Sequence, residues 1–445
     1  MTCSFWGIQH TLTKLDFTSI NHEVPIIYMA DILIQCTSLK TLVFSVIGDL
    51  QLFLGDFDKL ETTHNALIDM DLNSSLITGE AIEPLLKHCP NLRRLLVRDC
   101  TPNVFDMIHD HCPNLEILGY EAPSYDVPEI EDELLQQGKQ DKNNNNGSSL
   151  REIHCSLRGY GVPAEKFMPL LRKNAKTLEV VIANFCITKE QEVNDEPHQG
   201  IQPPDYGEKF EFERLEKLIY CSDIYNSVEP VFLHAIRSCP SLKVFFPSGS
   251  KDVSKVVDTL VARLPAAVEE LGLLGLDSED DNAGGDVVRL LKAYYDWMPT
   301  TDQKLRNVKL YYSSVITDDV LDVLSGFKSL EVCELSGLTN VTANGIKNFL
   351  QKAAENAHIT ELELYDMDLV DDAVLRILSK MEYLESLSLE RLSSITDEGF
   401  IYIVDNVKEL RKLAVQYCDS ISDNEDIREY VENNTKIEQF EMMLF

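Results

Sequence analysis

One leucine pattern recurs along this chain, and it constrains the fold before composition is considered. Written L-x-x-L-x-L with conservative replacements, it opens sixteen times: at Leu12, Leu39, Leu67, Leu92, Leu115, Leu150, Leu178, Leu215, Leu242, Val268, Leu305, Leu330, Ile359, Leu384, Leu410 and Ile437. Twelve of the fifteen spacings lie between 23 and 29 residues, and the other three are 35, 37 and 37. A unit of that length holds one short strand and one helix. Neither element can bury its apolar edge alone, so neighbouring units must stack and share a core.

The clearest units show how each turn is made. In AIEPLLKHCPNLRRLLVRDC (81–100), a helix is expected to end near His88, with Cys89 plugging the core. Pro90 disfavours helical geometry in the residue before it and marks the stop. Leu92, Leu95 and Val97 then point inward from a strand. HCPNL returns at 111–115 and SCPSL at 238–242. In later units a hydroxyl stands twelve residues after the opening apolar residue, at Thr317, Thr342, Thr396 and Ser422, with Asp318, Asp397 and Asp423 following. A hydroxyl cap with carboxylates in the first turn is a helix start. Period and pattern are those of leucine-rich repeats. The expected fold is therefore an α/β horseshoe of about sixteen strand–helix units, a parallel sheet lining its concave side and helices outside. Residues 1–445 form a single repeat domain in this reading. The long spacings carry insertions: 121–149 and 187–211, whose polar and acidic composition resists packing, and 277–304, which is partly helical.

Composition narrows the function. With 74 acidic and 40 basic side chains the net charge is −34, a field that repels phosphate backbones and anionic lipid. Nucleic acid and membrane are excluded as expected partners, and a basic protein segment is favoured. No apolar run is long enough to span a bilayer, and MTCSFWGIQHTLTKL does not read as a secretory signal. The expected compartment is cytoplasm or nucleus. Nine of the eleven cysteines fall at positions a repeat buries; only Cys3 and Cys221 do not. They read as structural thiols in a reducing compartment. Asp277, Glu279 and Asp281 alternate as in a calcium loop, but Asn282 stands where that loop needs Gly. His88, His109 and His111 fall near helix ends, away from the core positions of Cys89 and Cys112, so no zinc site is expected. Phosphate loops, nucleophile elbows and metalloprotease motifs are missing. No cofactor and no enzyme are expected.

The residues that could carry a function lie on the face opposite the leucines, at the third, fifth and seventh positions of each unit. Units seven to ten place Val180, Ile182, Ile219, Val244, Phe246 and Leu274 there. Such a run marks either a binding site, with Phe246 as its anchor, or a patch covered by an insertion. The last units are acidic and tyrosine-bearing, with Tyr311, Glu334, Glu361, Glu363, Tyr365 and Glu390. These twelve residues are the candidate partner-binding set.

The segments HCPNLRRLLVRDC, SCPSLKVF, YLESLSLERLSSITDEGF and ELRKLAVQYCDSISD resemble the cysteine-containing repeats of F-box/leucine-rich-repeat proteins, over nearly the whole chain and most clearly at 81–120 and 300–420. The resemblance implies a substrate-recognition component of a Skp–cullin–F-box ubiquitin ligase pathway. The concave face would hold a protein substrate. One feature departs from the family: residues 1–11 are too short for an F-box, so a Skp adaptor and cullin require a missing F-box or a second subunit. The alternative is a standalone repeat scaffold or inhibitor without a ubiquitin connection.

Overall fold

The computed structural model describes residues 9–20, 28–46, 50–60, 63–123, 149–156, 161–186, 210–222, 229–250, 252–262, 268–276, 283–297, 303–422, 425–433 and 436–443. The expected loops at 121–149 and 187–211 fall almost wholly outside them, as do Asp277, Glu279 and Asp281. The chain divides into two compact units, Met1–Cys239 and Pro240–Phe445.

Unit 1 contains strands β1 (Lys14–Ile20), β2 (Thr41–Val46), β3 (Asp69–Ile77), β4 (Arg94–Cys100), β5 (Ile117–Tyr120), β6 (Glu152–Cys155), β7 (Val162–Pro163), β8 (Val180–Cys186) and β9 (Lys217–Ser222). They pair in parallel, in chain order, except that β8 receives both β6 and the two-residue β7. Unit 2 contains β10 (Val244–Ser248), β11 (Glu270–Leu274), β12 (Asn307–Tyr311), β13 (Val332–Ser336), β14 (Glu361–Tyr365), β15 (Ser386–Glu390), β16 (Lys412–Gln416) and β17 (Gln439–Met443), each parallel to the next. Each unit is thus a leucine-rich-repeat stack of the α/β class. Equivalent repeat positions meet in register: Val308, Cys333, Leu362, Leu387, Leu413 and Phe440 form one row. All but the last of these are at most 2% exposed.

In unit 1 the helix Gly79–His88 shows the local logic. Thr78 caps it by accepting from the Ala81 N–H at 3.2 Å, and Ile82, Leu85 and Leu86 form the buried stripe. The stop is Cys89, whose N–H reaches the Leu86 carbonyl. Cys36, Cys112 and Cys239 end their helices in the same way. Burial drives the Cys89 and Cys112 thiols up to about 12, so at neutral pH they remain protonated core atoms. The residue before the opening leucine stitches neighbouring repeats together. Asn91 and Asn114 donate to the Asn65 and Pro90 carbonyls at 3.0 Å, and Ser149 and Thr177 serve equivalently.

Unit 2 adds two ladders. In the first, a carboxylate at a helix start takes both donors of the next repeat's cap. Asp318 accepts from the Thr342 N–H and hydroxyl at 2.8 and 2.6 Å, Asp372 from Thr396 at the same distances, and Asp397 from Ser422 at 2.7 Å for each. Thr342 also caps its own helix through the Gly345 N–H, whereas the Thr317 and Thr396 hydroxyls do not cap theirs. The close approach needs glycine: a Cβ on Gly345 or Gly399 would lie 1.9 or 2.1 Å from an Asp oxygen.

The second ladder follows the strands. The residue after each of β10 to β16 is left-handed: Gly249, Gly275, Tyr312, Gly337, Asp366, Arg391 and Tyr417, with φ between 47° and 74°. Each donates its N–H to the last carbonyl of the next strand at 2.7–3.1 Å. Glycine takes this conformation freely, whereas other L-residues lose about 1–2 kcal/mol. Tyrosine and arginine therefore occupy positions where glycine would serve the backbone better.

Candidate functional site

On the sheet face turned away from the helices, the third, fifth and seventh residues of each repeat form three rows running across the strands, with neighbours about 4.8 Å apart. The two units fill these rows differently.

In unit 1 two cross-strand ion pairs lie on this face. Arg94 pairs with Asp69 and Arg98 with Asp71, both at 2.8 Å across β3 and β4. His154 lies 3.0 Å from Glu152. The fifth-position row continues Leu96, Gly119, His154, Ile182, Ile219. Leu96 folds over Gly119, where a Cβ would meet it at 2.1 Å. Together with Arg98, Glu121, His154 and Ile182 it lines a shallow depression of about 490 Å³. Sequence reading passed over this hollow; the signal was Gly119, a residue without a side chain in a row of large ones. Of the predicted set, Val180 and Ile182 are half-buried here, and Ile219 is 9% exposed.

In unit 2 the expected anchor packs into the face. Phe246 is only 8% exposed. Its ring lies against the backbone of Gly272, where a Cβ would sit 2.7 Å away, and Lys309 Nζ is 6.0 Å from its centroid. The missing side chain at 272 lets the ring lie down across β11, so Phe246 is part of the packing of this face. Val244 and Leu274 flank it, half-buried.

The acidic half of the set converges further along the same face. Lys309, Glu334, Glu363 and Ser388 stand side by side in one row, and Tyr311, Ser336, Tyr365 and Glu390 in the next. Lys309 gives its ammonium to Glu334 Oε1 at 2.6 Å, and the Tyr311 hydroxyl donates to Glu334 Oε2. Burial, reinforced by that carboxylate, moves the Tyr311 phenol far above the usual tyrosine range. Glu334 is thereby satisfied. Its neighbour Glu363 is not: among the described residues no cation pairs with Glu363, Glu361 or Glu390. Desolvation first, and the charges of Glu334 and Glu390 second, hold the Glu363 carboxyl above its ordinary range, with Lys309 opposing.

Beside these carboxylates lies an aromatic rim. Tyr312 and Tyr365 meet edge to face with centroids 6.1 Å apart, and the Tyr312 hydroxyl donates to Asp366 at 3.2 Å. The Arg391 guanidinium stacks over Tyr365 at 5.6 Å and Tyr417 at 5.9 Å. Tyr312 itself is 49% exposed. Burial and the adjacent Tyr365 push its phenol up to about 12.

Among the described residues, no three His, Cys, Asp or Glu side chains gather as a metal site, and no helix is long and apolar enough to cross a membrane.

The chain matches no established family profile and no curated protein. Among solved structures it is similar to the yeast Rad7 and Elc1 complex, at 14% identity and a TM-score of 0.44 over 91% of this chain and 76% of that one. An internalin (inlF) from Listeria monocytogenes shows 12% identity and a TM-score of 0.37, covering 98% of this chain and 88% of that one. The complex of TLR13 with ssRNA13 shows 12% and 0.35, over 93% and 44%. These likenesses are too distant to transfer a role to any residue.

Proposed function

We propose that this chain is a non-enzymatic protein-recognition module whose binding surface is the helix-free sheet face, and that it serves as the substrate-recognition part of a Skp–cullin–F-box type ubiquitin ligase pathway. The observation that carries recognition is the row containing Glu334 and Glu363. One carboxylate is saturated by its own chain, and the next is half-buried with no cation paired to it among the described residues. A fold optimised only for itself would replace such a group, because burying an unpaired charge is costly. What supports the ligase pathway is the cysteine-type repeat, with thiols ending helices at Cys36, Cys89, Cys112 and Cys239. The second reading is a standalone scaffold or inhibitor.

The test is affinity capture of the tagged chain from its native lysate, with a Glu361→Gln, Glu363→Gln, Glu390→Gln variant alongside. Skp and cullin subunits together with a variant-sensitive protein support the ligase reading. A variant-sensitive protein without ligase subunits leaves the scaffold. Protein capture that the folded variant does not disturb removes this face from the account.

A further inference from the structure

We propose that the open face of unit 2 seats an extended, Arg- or Lys-bearing segment of a partner protein, with one cationic side chain entering between Tyr311 and Tyr365 beside Glu363. The proposal rests on the protein-recognition reading above and gives it a chemistry.

Four observations on different residues point the same way. The first is charge. Glu361, Glu363 and Glu390 occupy neighbouring positions of β14 and β15, and the cations of this face are placed elsewhere. Lys309 is held by Glu334, Lys412 is separated from Glu361 by the strand carrying Ser386, and Arg391 is stacked on the rim. The second is Ser336, which stands in register between Tyr311 and Tyr365. It is 2% exposed, and among the described residues its hydroxyl has no hydrogen-bond partner. Tyr312 is near enough to feel that hydroxyl, but no bond of acceptable geometry forms between them. A buried hydroxyl ordinarily has a partner, and a guanidinium or ammonium entering here brings several donors.

The third observation is the walls of the seat. Tyr311 and Tyr365 flank the small Ser336, and an aromatic face attracts a cation within about 6 Å. The chain itself shows this chemistry one step along, where Arg391 lies over Tyr365 and Tyr417. The fourth is backbone conformation. Tyr312, Arg391 and Tyr417 hold left-handed positions that glycine fills at 249, 275 and 337. All seven positions make the same N–H bond, so their side chains, not their backbones, distinguish them. Tyrosine and arginine are also the residues that most often dominate interfaces. The partner is taken to be a protein segment because the rows run across several strands, a span suited to an extended chain. A net charge of −34 repels a nucleic acid.

The probe is a fluorescein-labelled Arg–Ser repeat peptide titrated against the full chain by anisotropy, with its citrulline counterpart as the uncharged control. The Arg peptide is expected to bind and the citrulline peptide to bind at least about tenfold more weakly. Glu363→Gln should weaken the Arg peptide about tenfold. Tyr365→Ala and Tyr312→Gly leave the net charge unchanged and should each weaken it about fivefold. Asp69→Asn with Asp71→Asn removes more charge than Glu363→Gln, but from unit 1, and should leave binding nearly unchanged. Thermal unfolding of each variant confirms that it folds.

If the unit 1 variant weakens binding as much as Glu363→Gln and the tyrosine variants do nothing, the peptide senses only the overall field and the seat is refuted. Equal binding of both peptides refutes the cation. A face that captures a protein through Glu361, Glu363 and Glu390 yet ignores the Arg peptide overturns this proposal while leaving protein recognition standing. Failure of both removes the recognition reading as well.

Discussion

Units 1 and 2 are built from one repeat but dispose of their polar groups in opposite ways. Unit 1 closes its helices with cysteines and pairs Arg94 with Asp69 and Arg98 with Asp71 across the strands of its open face. Unit 2 uses aspartates in the helix-start ladder, and among the described residues no cation pairs with Glu361, Glu363 or Glu390 on its open face. Its rim carries Tyr312, Arg391 and Tyr417 in a conformation they disfavour. Self-satisfied polar groups contribute to stability, whereas unsatisfied ones in a well-packed frame are available to a partner. Under the proposed reading, recognition falls to unit 2, and the Arg94–Asp69 and Arg98–Asp71 pairs of unit 1 are mainly structural.

Substitutions can break this contrast, and the largest effect is expected at Gly399. Gly399→Ala drives a Cβ into the Asp372 carboxylate and should cost unit 2 about 2–4 kcal/mol, read from denaturant midpoints. Gly285→Ala, in the helix Ala283–Trp297 with nothing within 4 Å of the added carbon, should instead be neutral or stabilising by up to about 1 kcal/mol. Equal losses at both positions would show that the ladder is not what Gly399 serves.

In unit 1 the corresponding vulnerable point is the cysteine stop. Cys89→Ser puts a hydroxyl into a site with no exposure and should cost about 1–3 kcal/mol. Cys221→Ser, at a half-buried position, should cost less than about 0.5 kcal/mol. A comparable loss at both would mean that burial does not explain the cysteine register.

Smaller effects sharpen the reading of the open face. Glu363 has its folded pKa raised above the unfolded value, so it binds its proton more tightly when folded. Its contribution favours folding below the ordinary carboxylate range and is lost as pH rises through the raised value. Glu363→Gln should therefore raise the melting temperature slightly at neutral pH, and the gain should disappear on acidification below that range. A variant less stable than the parent at neutral pH would show that Glu363 has an intramolecular partner. Smallest of all, Tyr312→Gly relieves a left-handed tyrosine but forfeits its contact with Tyr365. Its stability should stay within about 1 kcal/mol of the parent.

Much of this architecture could be read from residues. The opening leucines set each strand to within a few positions, because stacked units must place Leu387, Leu413 and their equivalents in one row. Cys89 and Cys112 were recognisable as buried because they repeat at a fixed offset. The hydroxyls at Thr342 and Thr396 marked helix starts, but their bonds to Asp318 and Asp372 of the preceding repeats depend on how neighbouring helices align, which one repeat's sequence does not contain. Alternation located the open face but could not foresee that Gly272 lets Phe246 lie flat, since that depends on the neighbouring strand. Nor could it separate Glu334 from Glu363: both are glutamates at the same repeat position, and Lys309 and Tyr311 on the adjoining strand tell them apart.

The most direct test of the central claim places a photo-crosslinking amino acid at Tyr365 in unit 2 and, separately, at Leu96 in unit 1, followed by mass spectrometry of the products from native lysate. Recognition by unit 2 predicts crosslinks from position 365 into a Lys- or Arg-bearing segment of a protein partner, and few or none from position 96. Crosslinks confined to position 96, or from 365 into a segment without basic residues, would contradict it.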